Sequence, residues 1–128
     1  MGEPNALHNR VVWCDIPVAD LDRAVACYAA ILGCDVSTEQ YGDCRFAVID
    51  HEGGNGGCLV IDPAAVTAAG GILVYFNADG RLTEAVAQAV VHGGTVVEAP
   101  HAIGPHGFRA LVTDSEGNRL ALHSTTAG

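Results

Sequence analysis

The stretch DLDRAVACYAAILG, residues 20–33, decides the reading of this chain, because RLTEAVAQAVVHGG, residues 81–94, repeats its pattern. Leu21, Ala24, Val25 and Tyr28 fall at i, i+3, i+4 and i+7, one apolar stripe of a helix. Leu82, Ala85, Val86 and Ala89 have the same spacing. Gly33 and Gly94 each follow the first leucine by twelve residues, and Val36 and Val97 continue the match at an offset of 61. Asp20 suits an N-cap and Gly33 a helix stop.

Working outward, each helix follows a strand. Val12, Cys14, Ile16 and Val18 alternate with Trp13, Asp15 and Pro17, so the two sets point to opposite faces. ILVYFN, residues 72–77, is the second copy. After the helices come strand-like segments at 35–40, 44–50 and 58–62, and again at 95–99, 108–114 and 119–124. The turn before the last strand also repeats, as DHEGGN from Asp50 and DSEGN from Asp114, with residues that tight turns favour. Arg45 and Arg109 each stand five residues before the turn's aspartate. The pattern predicts an α+β protein made of two βαβββ units, about 8–62 and 72–125, joined by a small-residue linker at 63–71. Neither half is large enough for a good core alone, so residues 1–128 are expected to act as one domain.

Composition narrows the function classes. The formal charge is −9 and all six basic residues are arginine. Phosphate backbones need clustered positive charge, so no nucleic-acid partner is expected. Schiff-base chemistry on a lysine is excluded. The acidity keeps the chain soluble and would steer a cationic ligand. No apolar run approaches the roughly 20 residues of a membrane span and no signal peptide is visible, so the expectation is a cytoplasmic protein without a membrane partner. The five cysteines, at 14, 27, 34, 44 and 58, form no C-x-x-C pair, and most read as small buried hydrophobes. The serines at 37, 115 and 124 sit in no nucleophile elbow, and no phosphate-binding glycine loop is present.

The doubled unit resembles the vicinal-oxygen-chelate superfamily, the glyoxalase, bleomycin-resistance and extradiol dioxygenase group. Residues 15–33 look like its first strand–helix signature, ending in a Tyr-x-x-x-Leu-Gly pattern. His106-Gly-Phe-Arg109 followed by DSEGNRL, residues 114–120, looks like its closing motif. The resemblance covers roughly residues 8–125. It implies one cup-shaped mixed β-sheet with a helix packed on each half, and commonly a homodimer, sometimes with exchanged units. In the family's enzymes a divalent metal in the cup holds two neighbouring oxygens of a substrate, using ligands on the first and last strands of each unit. The matching positions here are Trp13, Leu73, Ala121 and either Leu59 or Val60, none of which can hold such a cation.

The expected cofactor is therefore none. The alternative is a divalent metal in a displaced site around Asp15 and His123, two residues further along the same strand faces, with His106 or His101 as third ligand. Asp15 and His123 could equally form an acid–base pair, or be polar groups satisfied by backbone. Trp13, Phe46, Leu73, Tyr75 and Ala121 suit the wall of a pocket for a planar ligand, although a lone Trp is as readily a core residue. Arg109 could anchor a carboxylate or phosphate. A surface ion pair is the commoner role for an arginine, and Arg45 is read that way more firmly. His106 lies in a Gly-Pro loop that could meet a ligand; His8, His51 and His92 read as surface residues. The functional expectation is a small organic ligand in a metal-independent cavity, either sequestered, as in the bleomycin-resistance branch, or converted by acid–base chemistry. A metal-dependent lyase, isomerase or dioxygenase is the alternative, and a partner-binding domain with a collapsed cavity is the third reading.

Overall fold

Asp20 starts the first helix as the sequence predicts: its carboxylate accepts a hydrogen bond from the Arg23 backbone N–H at 3.0 Å. The helix, α1, runs Leu21–Leu32 and ends at Gly33, whose φ of 65° is left-handed. The computed structural model describes residues 9–128. In chain order the strands are β1 (Val11–Val18), β2 (Val36–Tyr41), β3 (Cys44–Ile49), β4 (Gly56–Ile61), β5 (Leu73–Asn77), β6 (Val96–Ala102), β7 (Phe108–Thr113) and β8 (Arg119–Ser124). The second helix, α2, spans Leu82–Val91. The order βαβββ thus occurs twice, and the class is α+β. The linker holds a short 3-10 turn at Pro63–Ala65.

The chain divides into two compact units. Residues 13–73 make the first; residues 9–12 group with 74–128 in the second. The sequence pattern alone assigns residues 9–12 to the first unit. Backbone pairing explains the difference: the Asn77 N–H donates to the Arg10 carbonyl at 2.7 Å, and the Asn77 side chain donates to the Asn9 carbonyl at 3.2 Å.

In the first unit β1 runs parallel to β4, while β2–β3 and β3–β4 are antiparallel. The core lies between this sheet and α1. Leu21, Ala24, Val25 and Tyr28 of the helix stripe meet Ile16, Val18, Ala47, Ile49 and Leu59. Leu59 is fully buried, a burial that stabilises by about 1.5–3 kcal/mol. In the second unit β5 runs parallel to β8, and β6–β7 and β7–β8 are antiparallel. Leu82, Ala85 and Val86 of α2 pack on Ala78, Phe108, Ala110 and Leu122. Alternation then assigns the opposite, helix-free faces. One carries Trp13, Asp15, Cys58, Phe46 and Val48; the other carries Leu73, Tyr75, Ala121, His123, Arg109 and Leu111.

Two matches drawn from the turn motif are corrected by this parity. Arg45 and Arg109 do not occupy equivalent faces. Arg45 lies on the helix side and pairs with Asp22 of α1 at 2.8 Å, whereas Arg109 is opposite His123 on the helix-free side. Cross-strand register makes Phe46 the counterpart of Arg109: each is two residues from the β3 or β7 residue aligned with Cys58 or Ala121. The one-residue difference in turn length shifts the frame. For the same reason Leu59, a candidate partner of Ala121, faces α1, and Val60 faces away from it.

Candidate functional site

On the first unit's helix-free face a chain of polar contacts runs between neighbouring strands. Asp15 and Cys58 are cross-strand partners on β1 and β4, and the Cys58 thiol donates to Asp15 Oδ1 at 3.2 Å. The Trp13 indole N–H is in turn directed at the Cys58 sulfur. Burial, with the Asp15 charge beside it, pushes the Cys58 thiol up to about 12, and the indole only partly offsets this. Cys58 is therefore an inert donor that orients Asp15, not a nucleophile. Cys14, on the helix side of β1, is also pushed up by burial and then by Asp15.

His51 joins this face, which the sequence reading missed by taking it for a surface residue. It is half-buried and stands edge-to-face with Trp13, the ring centroids 5.3 Å apart and the planes at 89°. Its Nδ1 lies 2.8 Å from the Gly54 carbonyl oxygen. A carbonyl only accepts, so Nδ1 carries the hydrogen. The seat exists because Gly56, opposite Trp13, has no side chain: a Cβ there would stand 2.7 Å from the His51 Cβ. The run Gly53-Gly54 and then Gly56-Gly57 was the available signal, since glycine in a strand marks a close approach. His8 lies outside the described residues, and His92 is exposed at the end of α2.

On the second unit's helix-free face Tyr75, Leu111 and Ala121 are buried, as is Leu73 at the start of β5 where the first unit ends, while Arg109 and His123 are half-buried. His123 Nε2 lies 2.7 Å from the His106 carbonyl oxygen, so Nε2 holds the hydrogen and the neutral ring keeps its lone pair on Nδ1. His106 therefore acts through its backbone; its side chain is exposed at the end of the 3-10 turn Gly104–His106. Arg109 donates through Nη1 to the Tyr75 hydroxyl and through Nε to His101 Nε2 at 3.3 Å. Asp15 and His123 are thus each held by a neighbour within their own unit.

A model of the Glyoxalase/Bleomycin resistance protein/Dioxygenase superfamily matches residues 10–122. The chain belongs to this superfamily. Its solved structural neighbours agree in fold. The hypothetical protein BH1468 from Bacillus halodurans is 11% identical with a TM-score of 0.68, covering 91% of this chain and 94% of that one. Methylmalonyl-CoA epimerase of Streptomyces coelicolor is 21% identical with a TM-score of 0.64, covering 91% and 97%. The epimerase of Mycobacterium tuberculosis is 19% identical with a TM-score of 0.63, covering 90% and 87%. At these identities the likeness is one of fold. No protein of curated function matches the sequence.

The superfamily's metal can be tested against the donors present. Divalent cations of this kind take carboxylate, imidazole or water ligands. Trp13 offers one indole N–H, which only donates; Leu73, Val60 and Ala121 offer nothing. Among the described residues no three His, Cys, Asp or Glu side chains are grouped to hold a metal ion. The side chains at these positions do not fit the group. No helix among the described residues is long and apolar enough to cross a membrane.

Proposed function

We propose that this superfamily member binds a small organic molecule on a helix-free sheet face without a resident metal ion. The observation that carries the reading is strand parity. Trp13, Leu73 and Ala121, at the positions where relatives are expected to hold a cation, all lie on the helix-free faces and are apolar or donor-only. The same faces offer what a planar ligand needs. Trp13 and Phe46 give flat apolar area, and buried Leu73, Tyr75 and Ala121 give a dry floor. Asp15 and His123 supply an oriented carboxylate and an imidazole with a defined tautomer. Each, on its own unit's face, serves hydrogen bonding to a sequestered ligand, or proton transfer in a conversion. A fold-level neighbour, the Streptomyces coelicolor epimerase, is described in complex with 2-nitronate-propionyl-CoA, so this fold can hold an organic ligand.

The homodimer and the cytoplasmic location belong to the same proposal; sedimentation and fractionation test them. The ligand reading is tested by a thermal-shift screen of planar organic compounds in excess chelator. Hits should persist in chelator, and Asp15→Ala and His123→Ala should weaken them at least tenfold while Arg45→Ala leaves them unchanged. Hits lost in chelator and restored by a divalent ion would replace this reading with the metal-dependent one. Equal effects from all three variants would refute the assignment of Asp15 and His123.

A further inference from the structure

The two halves of the chain fill one matching position with very different side chains, and the difference opens a cleft in the second unit. We propose that this cleft, between α2 and the β7–β8 hairpin, binds a single aromatic ring that carries an ammonium group on a short tether. It lies on the helix side of the second unit's sheet, so its occupant is not the ligand of a helix-free face. In α1 the fourth residue of the apolar stripe is Tyr28, which packs against the core of Val18, Leu21, Ala47 and Leu59, as do Val36 and Ile49. In α2 the same position, 61 residues on, is Ala89, a single methyl group. The sheet beneath does not make up the volume. Leu59 of β4 is fully buried, whereas Leu122, at the matching place on β8, stays partly exposed. A cleft of about 330 Å³ results, with Ala85, Ala89, Val112, Leu120 and Leu122 as its apolar walls. That volume lies at the low end of small-ligand sites, roughly 300–1,000 Å³, and suits one ring.

The cleft stays open because the chain leaving α2 is tied to the last residue of β7. The Gly94 N–H donates to the Ala89 carbonyl at 2.8 Å, the Thr95 N–H to Thr113 Oγ1 at 2.9 Å, and the Thr113 N–H back to the Thr95 carbonyl at 2.9 Å. Gly94 passes so close that a Cβ there would collide with the Thr113 carbonyl oxygen. These bonds fix the spacing of helix and strand at that end, so α2 cannot settle into the missing volume. The mouth supplies the charge. Asp114 lines it, just after β7. The Glu116 and Asn118 N–H groups donate to its Oδ1 at 2.8 and 2.9 Å, and the Asn118 side-chain amide to Oδ2 at 3.0 Å. Those donors, the Asn118 side chain first, hold the carboxyl below the ordinary aspartate range. They are neutral, so the negative charge remains and the turn fixes its place. Gln88 and His92 line the cleft on the helix side, and none of the described residues lining it is Lys or Arg. The net charge of −9 steers cations toward the chain at long range. An apolar space of ring size beside a fixed carboxylate is complementary to an arylalkylammonium ion.

The test is methyl-detected NMR titration of the full chain with cationic phenethylamine, neutral phenethyl alcohol and anionic phenylacetate, near neutral pH and at about 0.1 M salt. The Val112, Leu120 and Leu122 methyls should shift with the amine and show contacts to its ring. The amine should bind about threefold tighter than the alcohol, the increment of one exposed ion pair, and phenylacetate should bind weakest. Asp114→Asn, which keeps Oδ1 as the turn's acceptor, should bring amine and alcohol to parity. Ala89→Tyr, which restores the ring that α1 carries, should weaken the amine by about tenfold or more, because the space is then occupied. The methyl map is read on the parent chain and locates the ring whether or not Ala89→Tyr folds. Shifts confined to Leu73 and Leu111 would overturn the cleft and favour the helix-free face instead. Equal binding of the three compounds, a preference that survives Asp114→Asn, or a folded Ala89→Tyr variant that binds the amine as the parent does would overturn the cleft and leave the helix-free reading untouched. Absence of any shift with all three compounds would overturn it as well.

Discussion

Replacing Gly56 by alanine should destabilise the chain through one identifiable contact, the seat of His51 against Trp13. The new Cβ would stand 2.7 Å from the His51 Cβ and 2.9 Å from its Cγ, closer than carbon atoms approach. Relieving such overpacking costs about 1–3 kcal/mol. Displacing the imidazole also gives up the edge-to-face contact, worth about 0.5–1.5 kcal/mol. Together these come to about 1.5–4.5 kcal/mol, or a fall in Tm of roughly 6–18 °C at about 4 °C per kcal/mol for a domain of this size. Trp13 is the sole tryptophan, so urea unfolding followed by its fluorescence reports both stability and the local contact. The cause is isolated by a double-mutant cycle with His51→Gly, which removes the Cβ that is struck. In that background Gly56→Ala should cost under about 0.5 kcal/mol. The same penalty in both backgrounds would show that the clash with His51 is not what excludes a side chain at position 56.

Other expectations concern the same turn, the thiols and the acid limb. Glu52 has a φ of 48°, a left-handed conformation unfavourable for a residue with a Cβ. Glu52→Gly should therefore raise stability by up to about 1 kcal/mol in urea unfolding, and a loss would contradict the strain. Cys58, with its pKa pushed up to about 12, should be the last thiol to react with a disulfide reagent at pH 8, long after exposed Cys27 and Cys44. Asp15→Asn should speed it, and mass mapping of labelled peptides that finds Cys58 early would refute the Asp15–thiol bond. The Thr125 hydroxyl and backbone N–H donate to Asp79 and hold its carboxyl below the ordinary aspartate range. A depressed carboxyl contributes stability that is complete above its unfolded value, near pH 4, and is lost as pH falls through the folded one. Asp79→Asn should therefore flatten the acid side of a pH–stability profile; an unchanged profile would contradict this linkage.

The elements were legible where local pattern and packing agree. Strand β1 occupies the residues its alternation predicts, and α1 begins and ends at the cap residues its sequence supplies. Helix α2 was legible from its apolar stripe, although Arg81 gives its first turn no side-chain cap. The face assignment of Trp13, Asp15, Leu73 and Tyr75 followed from period two alone. What failed depended on counting across turns. A single residue separates the two DxEG turns, and it moved Arg45 to the opposite face from Arg109. The register slip in β6 between Glu98 and His101 could not be counted from the sequence either, so His101 was considered only as a metal ligand. His51 was missed because an Asp-His-Glu-Gly-Gly turn reads as solvated. Only the missing side chain at Gly56, opposite Trp13, draws the imidazole inward.

Thermal unfolding with 1 mM Mn²⁺, Ni²⁺ or Zn²⁺, after exhaustive chelation, tests the metal-independent reading most directly. An ion held with a Kd of about 1 μM would stabilise the fold by about 4 kcal/mol, a rise of roughly 16 °C. The side chains at positions 13, 73 and 121 predict a shift within about 1 °C for each ion. A rise of several degrees that Asp15→Ala or His123→Ala abolishes would contradict the account.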